Sequence, residues 1–189
     1  MDSQNILFPK NSNDECMTPE YAVIPIVKHL KSYAELNGFT NKSRGYPLAV
    51  WCPFDEESSE FVKVLREAGF IVLWSHIGQG EDFFEHEPGL HWDIMISNPP
   101  YKGKRKVFER ALSFGKPFAL LMTLAWLNDS GPKKVFMEAD KQLQLLMFDK
   151  RIHYYRNGVM DRKTTFSSAY YCCDFLSKDL ILETLNVPK

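Results

Sequence analysis

The chain has little glycine and keeps it away from a place where a nucleotide-binding fold would need it: its ten glycines leave residues 46–68 with none. It has no excess of charge either, because 23 Lys and Arg stand against 24 Asp and Glu, giving a formal net charge of −1. That balance excludes a globally basic nucleic-acid coat and confines any such contact to a local patch. The four cysteines, Cys16, Cys52, Cys172 and Cys173, form no CxxC pair. Adjacent residues on a strand point to opposite faces, so no metal site and reduced thiols are expected. No apolar run approaches a membrane span, and the polar, acidic start MDSQNILFPKNSND lacks the form of a signal peptide. A cytoplasmic protein without a membrane partner is expected.

What is present is enough for one substantial core: 189 residues, 44% of them apolar and 14% aromatic. Residues 1–17 read as an arm and 18–189 as one domain. Thr18 and Pro19 read as a helix N-cap and first-turn proline before EYAVIPIVKHL, with Pro25 expected to kink that helix or end a short first segment. Strands are predicted at LAVWCPF (48–54), FIVLWSHI (70–77) and DIMIS (93–97), and helices at SSEFVKVLREAG (58–69), KRKVFERALSFG (104–115) and around KKVFMEADKQ. Beyond the apolar run PFALLMTLAWL (117–127), QLLMF (144–148) and SAYYCCDFL (168–176) are expected as an antiparallel pair at a sheet edge. Alternation of strands and helices predicts an α/β fold, its mostly parallel sheet covered on both faces.

Ligands of such sheets bind beyond the carboxyl ends of the strands, where the strand order reverses. Three tips therefore matter. CPFDEE, after the first strand, sets Asp55, Glu56 and Glu57 at a helix start without glycine. Carboxylates there repel a pyrophosphate, which disfavours NAD, FAD and ATP, and suit a ligand with ribose hydroxyls and positive charge. The second tip closes on Ser75 and His76 and then offers Asp82 with Phe83 and Phe84, a carboxylate that can accept from an adenine amino group beside a ring that can cover its face. Two successive phenylalanines also serve as core plugs. The third, ISNPPYKGKRK, is the most informative. The Asn98 amide oxygen and the carbonyl of Pro99, held extended by the Pro99–Pro100 pair, can converge as two acceptors on one planar NH2 group, with Tyr101 to stack on the ring that bears it.

The tetrapeptide NPPY at 98–101 resembles the catalytic motif of the S-adenosylmethionine (SAM) dependent amino methyltransferases, most of which act on the adenine amine of DNA. MTPEYAVIPIVKHL is similar to the family's N-terminal cofactor motif, CPFDEESSEFVKVL stands at its main cofactor loop, and GEDFF resembles the motif whose Asp takes the cofactor adenine. WCPFD, SHIGQGEDFF, ISNPPY and RALSFGKPFALLM together look like a small group common in phages and prophages. The resemblance implies a single Rossmann-like methyltransferase domain with an antiparallel edge strand near the C-terminus. It implies SAM as cofactor, bound through Thr18, Pro19, Tyr21, Cys52, Pro53, Phe54, Asp55, Ser75, His76, Asp82 and Phe83, and Asn98, Pro99, Pro100 and Tyr101 as the catalytic tip. The family's loop carries glycines and often begins Asp-Pro, whereas Cys52-Pro53-Phe54-Asp55 stands here. Its ribose-holding acid is replaced by Ser75 or His76, leaving Asp55 or Glu56 as substitutes.

The implied reaction is direct in-line displacement on an extruded adenine, with DNA as the partner. Lys102, Lys104, Arg105 and Lys106, with Arg110 a turn later, lie where they could hold phosphates. Arg151, His153, Tyr154, Tyr155, Arg156, Arg162 and Lys163 mix charge with aromatics as single-strand binders do, and Phe166 stands where a family aromatic meets the target base. No segment is long enough for a target-recognition domain, so low sequence specificity or a separate recognition partner is expected. RNA adenine or guanine, a protein glutamine amide, and an inactive SAM- or nucleic-acid-binding module are the alternatives.

Overall fold

The computed structural model describes residues 16–39, 46–156 and 158–188. The expected arm, apart from Cys16 and Met17, and most of the 37–47 connector lie outside them. Helix α1 (Glu20–Leu36) runs unbroken through Pro25, and its N-cap is Pro19 rather than Thr18. The helix does not end at Pro25 because Tyr21, Ala22, Val23, Ile26, Leu30 and Ala34, on both sides of it, are all buried. Packing of that face outweighs the one hydrogen bond a proline removes.

The other elements follow the predicted pattern, most with tighter limits, while the helix expected around KKVFMEADKQ begins earlier, at Ser130, and ends at Glu138. They are β1 (Ala49–Cys52), α2 (Glu60–Glu67), β2 (Ile71–Trp74), β3 (Ile94–Ser97), α3 (Lys104–Ser113), β4 (Phe118–Thr123), α4 (Ser130–Glu138) and β5 (Gln144–Phe148). A small hairpin, β6 (Tyr155–Arg156) with β7 (Val159–Met160), precedes β8 (Ser168–Cys173) and β9 (Leu180–Glu183). The main sheet has the order β2-β1-β3-β4-β8-β5-β9. Neighbours from β2 to β4 are parallel, β8 is antiparallel to both β4 and β5, and β9 pairs parallel to β5. The predicted pairing of 144–148 with 168–176 is thus present, while β9, unpredicted, forms the edge beyond it.

Every residue of β1, β3, β4 and β8 is buried, as a sheet covered on both faces requires. Side chains of β8 divide between the layers. The Tyr170 hydroxyl donates to the Ala22 carbonyl of α1 (2.9 Å), and its ring meets Phe61 of α2. Tyr171 faces the other layer, with Phe108 of α3 and Trp126 against its ring. Helix α1 packs on α2, and α3 on α4. Among the described residues, no helix is long and apolar enough to cross a membrane.

Phe108 is fully buried among Phe118, Trp126, Phe136 and Tyr171. Phe108→Ala is expected to cost about 3–5 kcal/mol, read as a lowered midpoint in urea unfolding; a loss below about 1 kcal/mol would contradict this packing.

Candidate functional site

The strand order turns back between β1 and β3, so the chain leaves β1 for β2 on one side and β3 for β4 on the other. A crevice opens at such a reversal, and here Cys52-Pro53-Phe54-Asp55 lies beside Ser97-Asn98-Pro99. Ser97 joins them: its hydroxyl accepts from the Phe54 N–H (3.3 Å) and donates to the Asp55 carboxylate. Asp55 is only 7% exposed, and its N–H bonds the Ser75 carbonyl (3.3 Å). Burial pushes its pKa up to about 6, against the opposing effects of hydrogen bonds from Ser97 and Ser59 and the nearby His76. The carboxylate is still the major form at neutral pH, in a place where it is poorly hydrated.

At the tip of β3, the Asn98 Nδ2 donates to the carbonyl of Cys16 (3.2 Å). That bond turns the other end of the amide away, and Oδ1 is buried with no hydrogen-bond partner. A buried acceptor without a donor costs roughly 1–3 kcal/mol and calls for a reason. Pro99 is buried and Pro100 exposed. The Tyr101 ring, 5% exposed, stands edge-on to Phe166 at 5.5 Å, and Phe166 stacks on Tyr154 at 5.7 Å. The Tyr154 hydroxyl donates to Ser168 Oγ (2.8 Å). Burial raises the pKa of both Tyr101 and Tyr154, so each phenol keeps its proton. Tyr101 and Phe166 are thus brought together, as layers of a wall rather than as exposed plates.

Of the expected cofactor residues, Thr18 is buried, and its Oγ1 has no hydrogen-bond partner. The Tyr21 hydroxyl accepts from the His153 N–H (2.7 Å). Cys52 is fully buried, its thiol pKa pushed well up by desolvation, so it presents no thiolate. The Ser75 hydroxyl accepts from the Trp51 indole (3.0 Å). His76 Nδ1 accepts from the Gly78 N–H (3.1 Å), and a Cβ at Gly78 would stand 2.9 Å from that nitrogen, so a side chain there would push the His76 ring aside. Asp82 Oδ1 accepts from the Phe84 N–H (3.0 Å). Phe83, 2% exposed, lies in an aromatic cluster with Phe54 at 4.7 Å and Trp51 at 5.7 Å. It is a core plug, while Phe84 reaches solvent.

The basic row divides. Lys102 and Lys106 are exposed, Lys104 lies 3.7 Å from Asp129, and Arg105 pairs with Glu109 (2.6 Å) and Glu138 (3.6 Å). Arg110 does not belong to that row. Its guanidinium covers the rings of Phe83 (5.6 Å) and Phe114 (5.0 Å) and donates to the His86 carbonyl (3.2 Å), so it props the 82–86 loop from within. Arg156 pairs with Asp161 across the hairpin (3.5 Å). Sequence reasoning overlooked Ser97, although a hydroxyl ending a buried strand directly before NPPY was a readable sign. It also overlooked the Cys16 carbonyl, for which the sequence holds no sign. Among the described residues, no cluster of His, Cys, Asp and Glu could hold a metal ion.

Because the folded pKa of Asp55 lies above that of a free carboxylate, its contribution to stability is fullest in acid and is lost as pH rises through about 6. On lowering pH from 7 to 5, wild type should gain about 1 kcal/mol relative to Asp55→Asn in urea unfolding. A pH-independent difference would contradict the buried carboxylate.

No family model and no curated protein matches the chain. Among solved structures it is similar to a candidate class I SAM-dependent methyltransferase from Listeria monocytogenes, at 12% identity and a TM-score of 0.51, covering 95% of this chain and 68% of that one. A candidate methyltransferase from Thermoplasma acidophilum gives 12% identity and a TM-score of 0.37, covering 80% of this chain and 67% of that one. At such identity the first likeness concerns the fold. Together with the strand order and its reversal between β1 and β3, it shows an α/β Rossmann-like fold of the class I SAM-dependent methyltransferase type, with a mixed sheet.

Proposed function

We propose that the chain transfers a methyl group from SAM to an exocyclic amino group, and that this group is the N6 amine of adenine in DNA. The observation that carries the reading is the Asn98 amide: one end is held by the Cys16 carbonyl, and the other is a buried oxygen without a donor, beside the reversal of strand order. An NH2 group is the donor that such an oxygen lacks.

The donor set suits SAM. Thr18 Oγ1 is a buried hydroxyl without a partner, and Asp55 is a buried carboxylate in a loop with no glycine turn to cradle phosphates. In this reading Thr18, Asp55, Ser75 and His76 hold the cofactor's polar groups, with Asp82 beside them. Bound there, SAM supplies an electrophilic methyl carbon on a sulfonium. Asn98 Oδ1 accepts one amine proton and the Pro99 carbonyl the other, which fixes the lone pair of the nitrogen toward one direction. Asp55, largely ionised at neutral pH, favours a cationic ligand. Tyr101 and Phe166 wall the pocket that receives the base and exclude water.

A nucleic acid is favoured over a protein glutamine amide by charge, and DNA over RNA by the likeness of NPPY to the adenine-modifying motif. Helix α3 begins Lys104-Arg105-Lys106 with no acidic residue in its first turn, and its N-cap Gly103 offers no side chain. Cations at the positive end of a helix are electrostatically misplaced until an anion joins them. The exposed ion pairs of Arg105 are worth little and exchange readily for phosphate.

Labelled-methyl transfer should be measured on unmethylated DNA, total RNA and a protein extract. Label in DNA is expected, whereas label confined to RNA or to glutamine would replace this substrate, and no SAM binding at millimolar ligand in calorimetry would overturn the enzymatic reading. Asn98→Ala should keep SAM affinity within a few-fold and lower transfer by about 100-fold or more. Retained transfer would refute the role given to its amide oxygen.

A further inference from the structure

The amide of Asn98 owes its orientation to a backbone carbonyl 82 residues earlier in the chain, and that carbonyl is itself tied down by the hairpin of the basic, aromatic segment. Met17 and Tyr155 form an antiparallel bridge, with the Met17 N–H donating to the Tyr155 carbonyl (3.1 Å) and the Tyr155 N–H to the Met17 carbonyl (2.9 Å). Tyr155 opens β6, whose partner β7 returns toward Arg162 and Lys163. Two residues earlier, the backbone of His153 exchanges hydrogen bonds in both directions with the Tyr21 hydroxyl, at 2.7 and 3.3 Å. A second connection runs through side chains: Tyr154, between these backbone anchors, stacks on Phe166, which meets the edge of Tyr101. The hairpin therefore touches the NPPY tip by two routes, one ending at the amide of Asn98 and one at the ring of Tyr101.

We propose that Cys16, Met17 and the β6–β7 hairpin form a positioning strap, through which the segment that meets the polymeric substrate sets the orientation of the Asn98 amide. The Cys16 carbonyl and the Met17–Tyr155 bridge touch no reacting atom. They act through Asn98, by accepting from its Nδ2 so that Oδ1 is left without a partner at the other end of the amide. Without that acceptor, rotation about the side-chain torsions gives the buried oxygen other orientations, and only one of them receives the amine. A misplacement of this kind, remote from the chemistry, costs about 100-fold in rate. Polymer that engages the hairpin orders the strap and hence the amide; a free nucleoside does not. The substrate of the proposed reaction is therefore a strand long enough to reach the hairpin, and the inference rests on that reaction only for this last step.

Proline substitution tests the strap at either end, since it removes one N–H of the bridge, and Tyr155→Pro does so without altering the Cys16–Met17 peptide. Met17→Pro and Tyr155→Pro should each lower kcat by about 100-fold while the Kd for SAM stays within about twofold. They should also move the side-chain NH2 resonances of Asn98, which Asn98→Ala identifies by their loss from a nitrogen–proton correlation spectrum. In wild-type protein those side-chain protons should exchange with solvent in the same cooperative opening as the Met17 and Tyr155 amides. Unchanged kcat in either folded variant, or Asn98 resonances that stay in place, would overturn the strap. If neither variant folds, exchange in the wild type decides, and an Asn98 side chain that exchanges independently of both amides overturns it. Failure of wild type to transfer methyl to any polymer would sink the proposed reaction alone, because the spectroscopic coupling is read without turnover.

Discussion

The hydrogen bond from Ser97 to Asp55 spans the line along which the sheet changes direction, and much of the site hangs on it. Parallel neighbours β1 and β3 deliver their carboxyl ends side by side, but their following segments depart for opposite layers. Nothing in the ladder holds those departing loops together once the strands end. A hydroxyl that accepts from Phe54 and donates to Asp55 supplies the missing cross-link. It also explains how a carboxylate can lie so deeply buried: desolvation opposes its charge, and two hydroxyl donors and a neighbouring imidazole lower the penalty without removing it. The loop next to the proposed amine site is thus fixed by a polar group rather than by glycine conformation.

A second theme is the aromatic mass carried into the core by the segment that follows the edge strand β2. Among the described residues none pairs with the outer side of β2, and the segment after it folds as turns and irregular chain. It sets Phe83 and Trp92 against Trp51, Phe54 and Phe114, with Arg110 and Lys116 laid over the rings. Cation–π contacts of this sort let charged residues seal an apolar cluster without being buried whole.

The fold was largely legible because its central strands are short apolar runs bounded by turn residues, and because helices of three-and-four spacing alternate with them. What escaped notice was non-local. The strand β9, LILE, has alternating exposed residues and becomes a strand only because β5 offers an open edge. An end of the helix at Pro25 was misread, since a local rule was applied where burial on both sides decides. At the candidate site, the contiguous groups of NPPY could be read directly. The carbonyl of Cys16 and the inward turn of Arg110 could not, one being a backbone atom and the other indistinguishable in sequence from its cationic neighbours.

Strand β8 lies between β4 and β5 and runs against both, although it comes well after them in the chain. Its consecutive tyrosines place a hydroxyl in each layer, on the Ala22 carbonyl and on the Thr123 carbonyl. During synthesis, therefore, β4 emerges with six buried positions and no partner on one side, and it waits until β8 has followed. Pairing of β8 joins both layers at once, so the nascent protein carries an open, apolar sheet edge from the emergence of β4 until that of β8, and its need for protection from aggregation is concentrated there.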